Sequence, residues 1–395
     1  MTHHGTHKMT YQRTHPWITY QLDLNYFSFK TWLLSGEAQS KCEHIESVPL
    51  MPGFAEILNE LFLAEGVCAT TQIEGNTLTI EEVKNRIKGE LKLPPSREYL
   101  GLEIDNIVDA CNRITNNLLR GNAEGLNIEQ IKEYNAMILR GLNHNEDIIP
   151  GEIRKYDVRV GSYTGVSSKE CSYLLSKLCD WINEDWQSNF EGYEVAAGII
   201  KAILAHIYLV WIHPFGDGNG RTARLIELQV LLSLGLPSAT THLLSNHYNK
   251  TRTEYYRHLE IASNETNGIY RFIEYALQGF IDGLKEQIAW IEKQQQNVHW
   301  INYIHEVFKN KKGKADERRR HLAVDLANTP GPIPLDRVQL ISKRIYDEYK
   351  DKVERTIHRD IKILEGMGLI EITNYGLRSP IEKILAFKSP TTKDK

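Results

Sequence analysis

The pattern of apolar and polar residues predicts a chain built almost entirely from helices. Over most of its length, apolar residues recur at intervals of three and four, the spacing that places them on one face of a helix. The helices predicted in this way are Ser28–Lys41, Phe54–Val67, Glu98–Leu119, Asn127–Leu139, Lys169–Asn183, Ala196–Trp211 and Leu225–Leu234. Residues 251–290 continue the pattern, with a break near Ser263 and Asn264. The fold class that follows is mostly α.

The segment Ala69–Thr79, ATTQIEGNTLT, predicts the end of one short helix and the start of the next. Thr70 and Glu74 are four residues apart, so on a helix they lie on the same face. Gly75 is a typical helix stop, and Thr79 is the first residue of a capping-box pattern. Taken alone, Glu74 would be a solvated residue in the last turn of a helix.

One stretch departs from the helical pattern. In Pro150–Ser168, apolar residues alternate with polar ones, and glycines stand where the chain would turn. The alternating residues are Tyr156, Val158 and Val160, and the turn points are Gly161 and Gly165. This stretch predicts a short β-hairpin in an otherwise helical domain.

A separate C-terminal domain is predicted from about Asn297. The run Lys309–Arg320 holds seven basic residues against two acidic ones. From Ala323 onward three short helices are expected, and the helix Val353–Leu364 is followed by glycines and by a hairpin that turns at residues 374–376. Helix, glycine stop and hairpin are typical of a winged helix-turn-helix.

The helix Val353–Leu364 is predicted to have an inward apolar face and an outward basic face. The inward residues are Ile357, Ile361 and Leu364, and the outward residues are Arg355, Thr356, Arg359 and Lys362. Asp360 and Glu365 are expected to reduce the positive charge of the outward face. Binding of DNA and binding of protein by this domain are therefore both left open.

Composition narrows the class of protein. With 395 residues the chain has room for two or three domains, and its 41% hydrophobic and 25% charged content is that of a soluble globular protein. A net charge of −4 excludes a polycation that coats nucleic acid, so any such role must be local. Five cysteines without a CxxC pair favour reduced thiols and a cytoplasmic location.

Neither a secretory signal nor a membrane partner is expected. The N-terminus lacks the apolar segment of a signal peptide. The longest apolar run, Ala196–Ile212, carries Lys201 and His206, so it predicts a buried core helix and not a membrane span.

The strongest functional signal is the polar loop Ile212–Arg224, IHPFGDGNGRTAR, between two apolar helices. Its glycines let backbone N–H groups converge, and a helix beginning near Arg221 would add its N-terminus, which together form an anion site. Arg221 and Arg224 lie three residues apart and would bind phosphate oxygens from one helix face. Asp217 is a hard oxygen ligand suited to Mg²⁺ beside phosphates. His213 titrates near neutrality and suits a general base.

Together these residue types indicate transfer of a phosphorus group from a nucleotide. Two other glycine-rich sites are excluded by their spacing. An EF-hand would need an acidic ligand at position twelve of the loop, where Leu228 stands. A P-loop would need lysine after its last glycine, where Arg221 stands.

The loop resembles the signature of the Fic (filamentation induced by cAMP) family, HPFxDGNGRxxR, at every fixed position from His213 to Arg224. Thr70–Gly75, TTQIEG, resembles the inhibitory-helix motif of this family, [S/T]xxxE[G/N]. The hairpin around Val158–Gly161 resembles its flap. The resemblance covers roughly residues 15–290. It implies an N-terminal helical cap with an inhibitory helix (1–95) and a Fic catalytic core with a β-hairpin flap (96–296), followed by a winged-helix domain (297–395).

The resemblance implies AMPylation, the Mg²⁺-dependent transfer of AMP from ATP to a Tyr, Thr or Ser hydroxyl of a target protein. His213 would deprotonate this hydroxyl, and Asp217 would hold Mg²⁺ on the α- and β-phosphates. Arg221 would bind the β-phosphate and Arg224 the γ-phosphate. The residues whose amides would cradle the phosphates are Gly218, Asn219 and Gly220.

The resemblance also implies contacts to the base, the ribose and the target. Tyr255 or Tyr256, together with Asn264, resemble the adenine and ribose contacts. Val158 and Gly161 lie in the flap, which would hold the target chain by strand addition.

Glu74 gains a second interpretation from the resemblance, as an inhibitory residue that binds Arg224 within the same chain. A carboxylate bound bidentately to this arginine would compete with the γ-phosphate for its N–H groups. Two rival functions are left open, removal of AMP at the same site and a DNA-binding regulator whose nucleotide site only senses ligand. Self-modification and a homodimer are left open as well.

Overall fold

The structure, a computed structural model, describes residues 9–50, 52–120, 125–184 and 190–385. The chain divides into two compact units, Met1–Lys285 and Glu286–Lys395, referred to below as the first and second units. Helices account for most of the described residues, which confirms the mostly α fold class.

The first unit is a helical assembly with one small hairpin. Its helices are α1 (Tyr11–Thr14), α2 (Phe29–Ser47), α3 (Pro52–Ile73), α4 (Ile80–Ile87), α5 (Glu98–Leu119), α6 (Ile128–Leu139), α7 (Cys171–Asn183), α8 (Glu194–Ile212), α9 (Asn219–Ser233), α10 (Ser238–Thr241), α11 (Leu243–Lys250), α12 (Arg252–Asn264) and the start of α13 (Gly268–Phe308). Short 3₁₀ turns occur at Leu24–Tyr26, Pro95–Arg97 and Ser168–Glu170.

Side-chain caps fix where helices begin. The Thr79 hydroxyl accepts from the Glu82 N–H at 3.2 Å, and the Glu82 carboxylate accepts from the Thr79 N–H at 2.9 Å. This is the predicted capping box of α4. Asn127 and Gln130 form the same pair of bonds at the start of α6. Such caps satisfy N–H groups for which the first turn of a helix has no partner.

The sequence interpretation split α3 into two helices, and this was wrong. The helix continues without interruption from Pro52 to Ile73. The Thr71 hydroxyl donates to the carbonyls of Val67 and Cys68 at 2.9 and 3.1 Å, so this β-branched polar residue is accommodated inside the helix. Gly75, with φ of 105°, follows the end of the helix as predicted.

The core of the first unit lies around α8 and α9, the two helices that flank the polar loop. Helix α8 has the length and composition of a membrane span, with a mean hydropathy of 2.0, but 83% of that stretch is buried inside the protein. Most of α9 is buried as well. The loop is therefore held at both ends by helices that are fixed in a packed core.

The predicted hairpin is present but short. Strand β1 (Arg159–Val160) pairs antiparallel with β2 (Tyr163–Thr164), with Gly161 in the connection at φ of 59°. The N-terminal segment lies against this hairpin, because His15 Nε2 is 2.8 Å from the Thr164 carbonyl oxygen.

The second unit has its own apolar core and its own hairpin. Its elements are α14 (Lys314–Ala327), α15 (Lys343–Tyr349), α16 (Glu354–Gly366), β3 (Glu371–Thr373) and β4 (Gly376–Arg378), with 3₁₀ turns at Leu335–Leu340 and Ile381–Ile384. The strands pair antiparallel, and Ile333 forms a bridge to Leu377 on the other edge of β4. The order of these elements along the chain, a helix, a bridging residue, two helices and a hairpin, is the order expected of a winged helix.

The outward face of α16 differs from the prediction at one position. Asp360 was predicted to lie among the outward basic residues, but its side chain is fully buried. The Asp360 carboxylate binds Arg318 Nη2 at 2.7 Å and Arg319 Nε at 2.8 Å. A buried carboxylate needs counter-charges of this kind, and the two arginines in α14 supply them.

Candidate active site

The loop between α8 and α9 is shaped by its own contacts. His213 ends α8 in the left-handed region, with φ of 50°, a conformation that costs a non-glycine residue about 1–3 kcal/mol. The Asn219 side chain closes the loop by accepting from the Phe215 N–H and donating to the Phe215 carbonyl, both at 2.9 Å. The Asn219 amide group is therefore used within the loop, and only its backbone N–H is left for a ligand.

The N-terminus of α9 has backbone N–H groups that are available to bind an anion. Gly218 stands at the N-cap with φ of 76° and brings no capping side chain. The N–H groups of Asn219, Gly220 and Arg221 follow in the first helical turn, where they have no intrahelical partner and carry partial positive charge. A Cβ at Gly220 would meet the Glu74 carboxylate, so a larger residue there would displace this side chain.

His213 is held as a neutral base. Its Nδ1 lies 3.2 Å from the Val210 carbonyl oxygen, which assigns the proton to Nδ1 and leaves the Nε2 lone pair free. Burial lowers the pKa of His213 to about 4, although the Val210 carbonyl acts in the opposite direction. The imidazole is therefore neutral at pH 7 and able to accept a proton.

Arg154 is a site residue that the sequence interpretation missed. Its buried guanidinium donates to the carbonyls of His213 at 2.7 Å, Tyr156 at 2.7 Å and Val166 at 2.6 Å. Its backbone N–H donates to the Pro214 carbonyl at 2.9 Å. Arg154 thus ties both ends of the hairpin segment to the loop at His213. Its acceptors are backbone carbonyls, which every residue has, so no pattern of residue types reveals them.

Asp217 and Arg221 lie at the rim of the loop. The Asp217 side chain is 48% exposed, and its Oδ1 accepts from the Gly218 N–H at 2.5 Å. Arg221 is 3.4 Å from the same oxygen and 3.2 Å from Glu103 Oε1, so both of its terminal nitrogens face carboxylates. Within the described residues there is no group of three or more His, Cys, Asp or Glu side chains suited to a metal. One exposed carboxylate beside an anion site does suit Mg²⁺ that arrives with phosphates, since phosphates and water supply its other ligands.

Arg224 is held by the end of α3. Its Nε donates to the Thr70 hydroxyl at 2.7 Å, and its Nη2 donates to the Thr70 carbonyl at 3.0 Å and to Glu74 Oε1 at 2.6 Å. Thr70 and Glu74 thus act from one helix face, as their spacing indicates. The bidentate contact expected for Glu74 is not formed, because only one oxygen of its carboxylate, Oε1, hydrogen-bonds to Arg224.

The contact between Glu74 and Arg224 keeps both side chains charged. Burial acts to raise the pKa of Glu74, but the Arg224 guanidinium outweighs it and leaves this pKa below its usual range. The pKa of Arg224 is raised even though burial acts to lower it, because Glu74 lies beside it. Both groups are therefore charged at neutral pH.

A cavity of about 900 Å³ opens in front of these residues, a size that suits a small-molecule ligand. Among the predicted site residues, those that line it are Glu74, Gly161, His213, Gly220, Arg224, Tyr255, Tyr256 and Asn264. Those that do not line it are Val158, Asp217, Gly218, Asn219 and Arg221. Val158 instead accepts from the Gly165 N–H at 3.1 Å through its carbonyl.

Part of the cavity lining is aromatic. Tyr255 is buried, its ring stacks on Tyr248 at 4.7 Å, and its hydroxyl lies 2.9 Å from His206 Nε2. Tyr256 is 47% exposed and lines the same cavity. Trp17 is a further lining residue that the sequence interpretation missed, because it lies far from the loop in the chain. A cavity lined by both aromatic rings and cationic groups can hold a flat base and phosphates together.

Comparison with known proteins connects this site with one family. Residues 125–231 match the model of the Fic/DOC family. The chain is 30% identical over 227 residues to protein adenylyltransferase fic-1 of Caenorhabditis elegans, covering 55% of this chain and 41% of that one. It is 30% identical over 207 residues to protein adenylyltransferase Fic of Drosophila willistoni, covering 51% and 37%. The chain therefore spans about two fifths of the length of these relatives.

Two solved structures share the fold. Residues 134–508 of Fic-1 from C. elegans superpose with a TM-score of 0.55 at 22% identity, covering 67% of this chain and 73% of that one. A Fic family protein from Desulfovibrio desulfuricans G20 superposes with a TM-score of 0.54 at 18% identity. The second match covers 94% of this chain and 97% of that one, so it includes the second unit.

Proposed function

We propose that the chain is a protein adenylyltransferase, which transfers AMP from ATP to a hydroxyl group of a target protein, and the match of residues 125–231 to the model of the Fic/DOC family supports this. One arrangement carries the proposal. A neutral histidine, the open N-terminus of α9 and a buried arginine lie together at a single cavity. A base placed beside an anion site is the arrangement that transfer of a phosphorus group requires.

In the proposed reaction, the acceptor oxygen forms a bond to the α-phosphorus while the bond between this phosphorus and the bridging oxygen to the β-phosphate breaks. Nε2 of His213 takes the hydroxyl proton as the new bond forms, and pyrophosphate leaves. The N–H groups at the start of α9 bind the phosphate oxygens and offset their charge. The hairpin presents the exposed edge of Arg159–Val160 to an extended segment of the target.

Asp217 is the residue proposed to hold Mg²⁺, because its Oδ2 has no partner among the described residues and its carboxylate is at the rim of the anion site. Bound Mg²⁺ would offset negative charge on the phosphates of ATP. Arg221 would move from Glu103 toward the phosphates, since their several charged oxygens are stronger partners for a guanidinium than one carboxylate oxygen.

Removal of AMP from a modified protein is a second candidate activity. Only Oε1 of Glu74 binds Arg224, and Oε2 has no partner among the described residues. The Glu74 side chain lines the same cavity as His213. A free carboxylate oxygen at this place suits orientation of an attacking water.

Transfer of AMP is tested with ATP labelled at either end. We expect label from the α-phosphate to become covalently attached to protein, and label from the γ-phosphate to remain in small molecules, because pyrophosphate is the leaving group. The protein is incubated with cell lysate, and acid-stable label and an added AMP mass on peptides are measured. Attachment of γ-label instead would show phosphate transfer and overturn the proposal.

Arg154 is expected to act as a positioning residue for His213. Arg154→Lys keeps the charge but cannot donate to carbonyls of His213, Tyr156 and Val166 at once, so we expect kcat to fall about 10- to 100-fold, as for a base displaced by about 1 Å. The KM for ATP should change less than about threefold, because α9 and Arg224 are untouched. A matched control is Arg113→Lys, which alters an exposed arginine paired with Glu133. Equal kcat in the folded Arg154 and Arg113 variants would contradict a positioning role.

A further inference from the structure

We propose that the second unit binds double-stranded DNA through α16, with this helix in the major groove. The proposal rests on a row of basic side chains on the outward face of α16, Arg355, Arg359 and Lys362, at positions i, i+4 and i+7. All three are exposed, and His358 lies among them with 53% of its side chain exposed. The proposal is independent of AMP transfer.

The row is not neutralised by neighbouring acids. In the part of the chain that the structure describes, no carboxylate lies within 4.0 Å of the side-chain nitrogens of Arg355, Arg359 or Lys362. Some other exposed lysines of the same unit are paired with acids, Lys309 with Glu306 and Lys350 with Asp347. Unpaired cations are the ones that can exchange small counterions for DNA phosphates.

A negative charge on the outward face of α16 would be the main objection to DNA as the partner, and the burial of Asp360 removes it. Asp360 would lower the charge of the basic row from +3 to +2 if it lay there, but it is fully buried against Arg318 and Arg319. The two remaining acids of α16, Glu354 and Glu365, stand at its ends and lie roughly a quarter turn around the helix from the basic row. The middle of the outward face is therefore basic throughout.

The surroundings of α16 have the geometry that groove binding needs. Residues 350–353 form a short turn between α15 and α16, as in a helix-turn-helix whose second helix enters the groove. A helix of this kind fits the major groove, which is about 12 Å wide. The hairpin β3–β4 carries Tyr375 at its tip with 81% exposure, so it can reach the sugar-phosphate backbone beside the helix.

A stripe of unpaired cations on one helix favours DNA over a protein partner, because such a basic stripe is the electrostatic footprint of a nucleic-acid surface. A-form RNA is disfavoured, since its major groove is too narrow for a helix.

The test measures binding of the full-length protein to a fluorescent DNA duplex of about 25 base pairs by anisotropy, from about 50 to 200 mM salt. We expect the unmodified protein to bind at low salt. In a triple variant, Arg355→Ala, Arg359→Ala and Lys362→Ala, affinity should fall at least about tenfold, and the slope of log K against log salt should shrink by about 2 to 3. His213→Ala should bind like the unmodified protein, which separates this proposal from the proposed reaction.

A matched control removes the same charge elsewhere. Lys30→Ala, Lys88→Ala and Lys285→Ala alter exposed lysines of the first unit that are paired with Glu274, Glu60 and Glu37. This control should retain the affinity and the salt slope. Equal losses in the two triple variants, no binding at about 50 mM salt, or equal competition by duplex RNA or by polyglutamate would each overturn the proposal. Thermal unfolding of both variants checks that the exposed substitutions leave the fold intact.

Discussion

Replacing Glu74 with glycine is expected to raise incorporation of AMP from α-labelled ATP by at least about tenfold. Glu74 occupies Nη2 of Arg224, one of the donors that the γ-phosphate would use, at 2.6 Å. A hydrogen bond between charged groups contributes about 1.5–3 kcal/mol, which corresponds to about 10- to 150-fold in a competing equilibrium.

Two further variants separate competition from other effects. Glu74→Gln keeps the size of the side chain and removes its charge, so we expect an intermediate increase. Glu60→Gln alters another carboxylate of α3, one that pairs with Lys88 at 3.1 Å outside the cavity, and should leave the rate unchanged. Equal labelling by the unmodified protein and by Glu74→Gly would refute inhibition by Glu74.

The same pair of proteins distinguishes transfer of AMP from its removal. If Glu74 orients a water for hydrolysis, a protein that already carries AMP should lose it in the presence of the unmodified chain and keep it in the presence of Glu74→Gly. If Glu74 only inhibits, the unmodified chain should leave the modified protein intact. Release of AMP is measured by chromatography of the small molecules.

The loop of residues 212–224 was the part of the site that the sequence could reveal, because its chemistry depends on residues close together in the chain. Thr70 and Glu74 were also predictable, since their spacing of four places them on one helix face, and the structure brings both to Arg224. In these cases local spacing decides the geometry, and the fold only brings two such segments together.

The remaining features depend on partners that are distant in the chain. Arg221 faces Glu103 across 118 positions, and Asp360 is buried because Arg318 and Arg319 meet it from α14. Helical periodicity correctly separated the two faces of α16 for its apolar residues, yet it assigned Asp360 by polarity to the outward face. A charged residue can occupy a buried position when tertiary structure supplies counter-charges, and periodicity carries no information on those.

Replacing His213 with alanine is expected to lower the rate of AMP transfer by about 100- to 10,000-fold, the range that general-base catalysis contributes. The measurement is made in the Glu74→Gly background, where the rate is high enough to follow a large loss. Binding of ATP should persist, because Arg224 and the N-terminus of α9 are unchanged. His44→Ala, which alters an exposed histidine of α2, is the matched control and should keep full activity. Retention of more than a tenth of the rate in His213→Ala would exclude it as the base.

The pH dependence of Glu74→Gly provides an independent check on His213. Burial holds the pKa of this imidazole at about 4, so its neutral, proton-accepting form persists above that pH and is lost only as the pH falls through 4. We therefore expect a flat rate from about pH 8 to 5.5, whereas a histidine with the ordinary pKa of about 6.5 would lose about nine tenths of its activity by pH 5.5. Circular dichroism at each pH confirms that the protein is folded. A roughly tenfold decline between pH 8 and 5.5 in folded protein would show that a solvated histidine, and not the buried one described here, takes the proton.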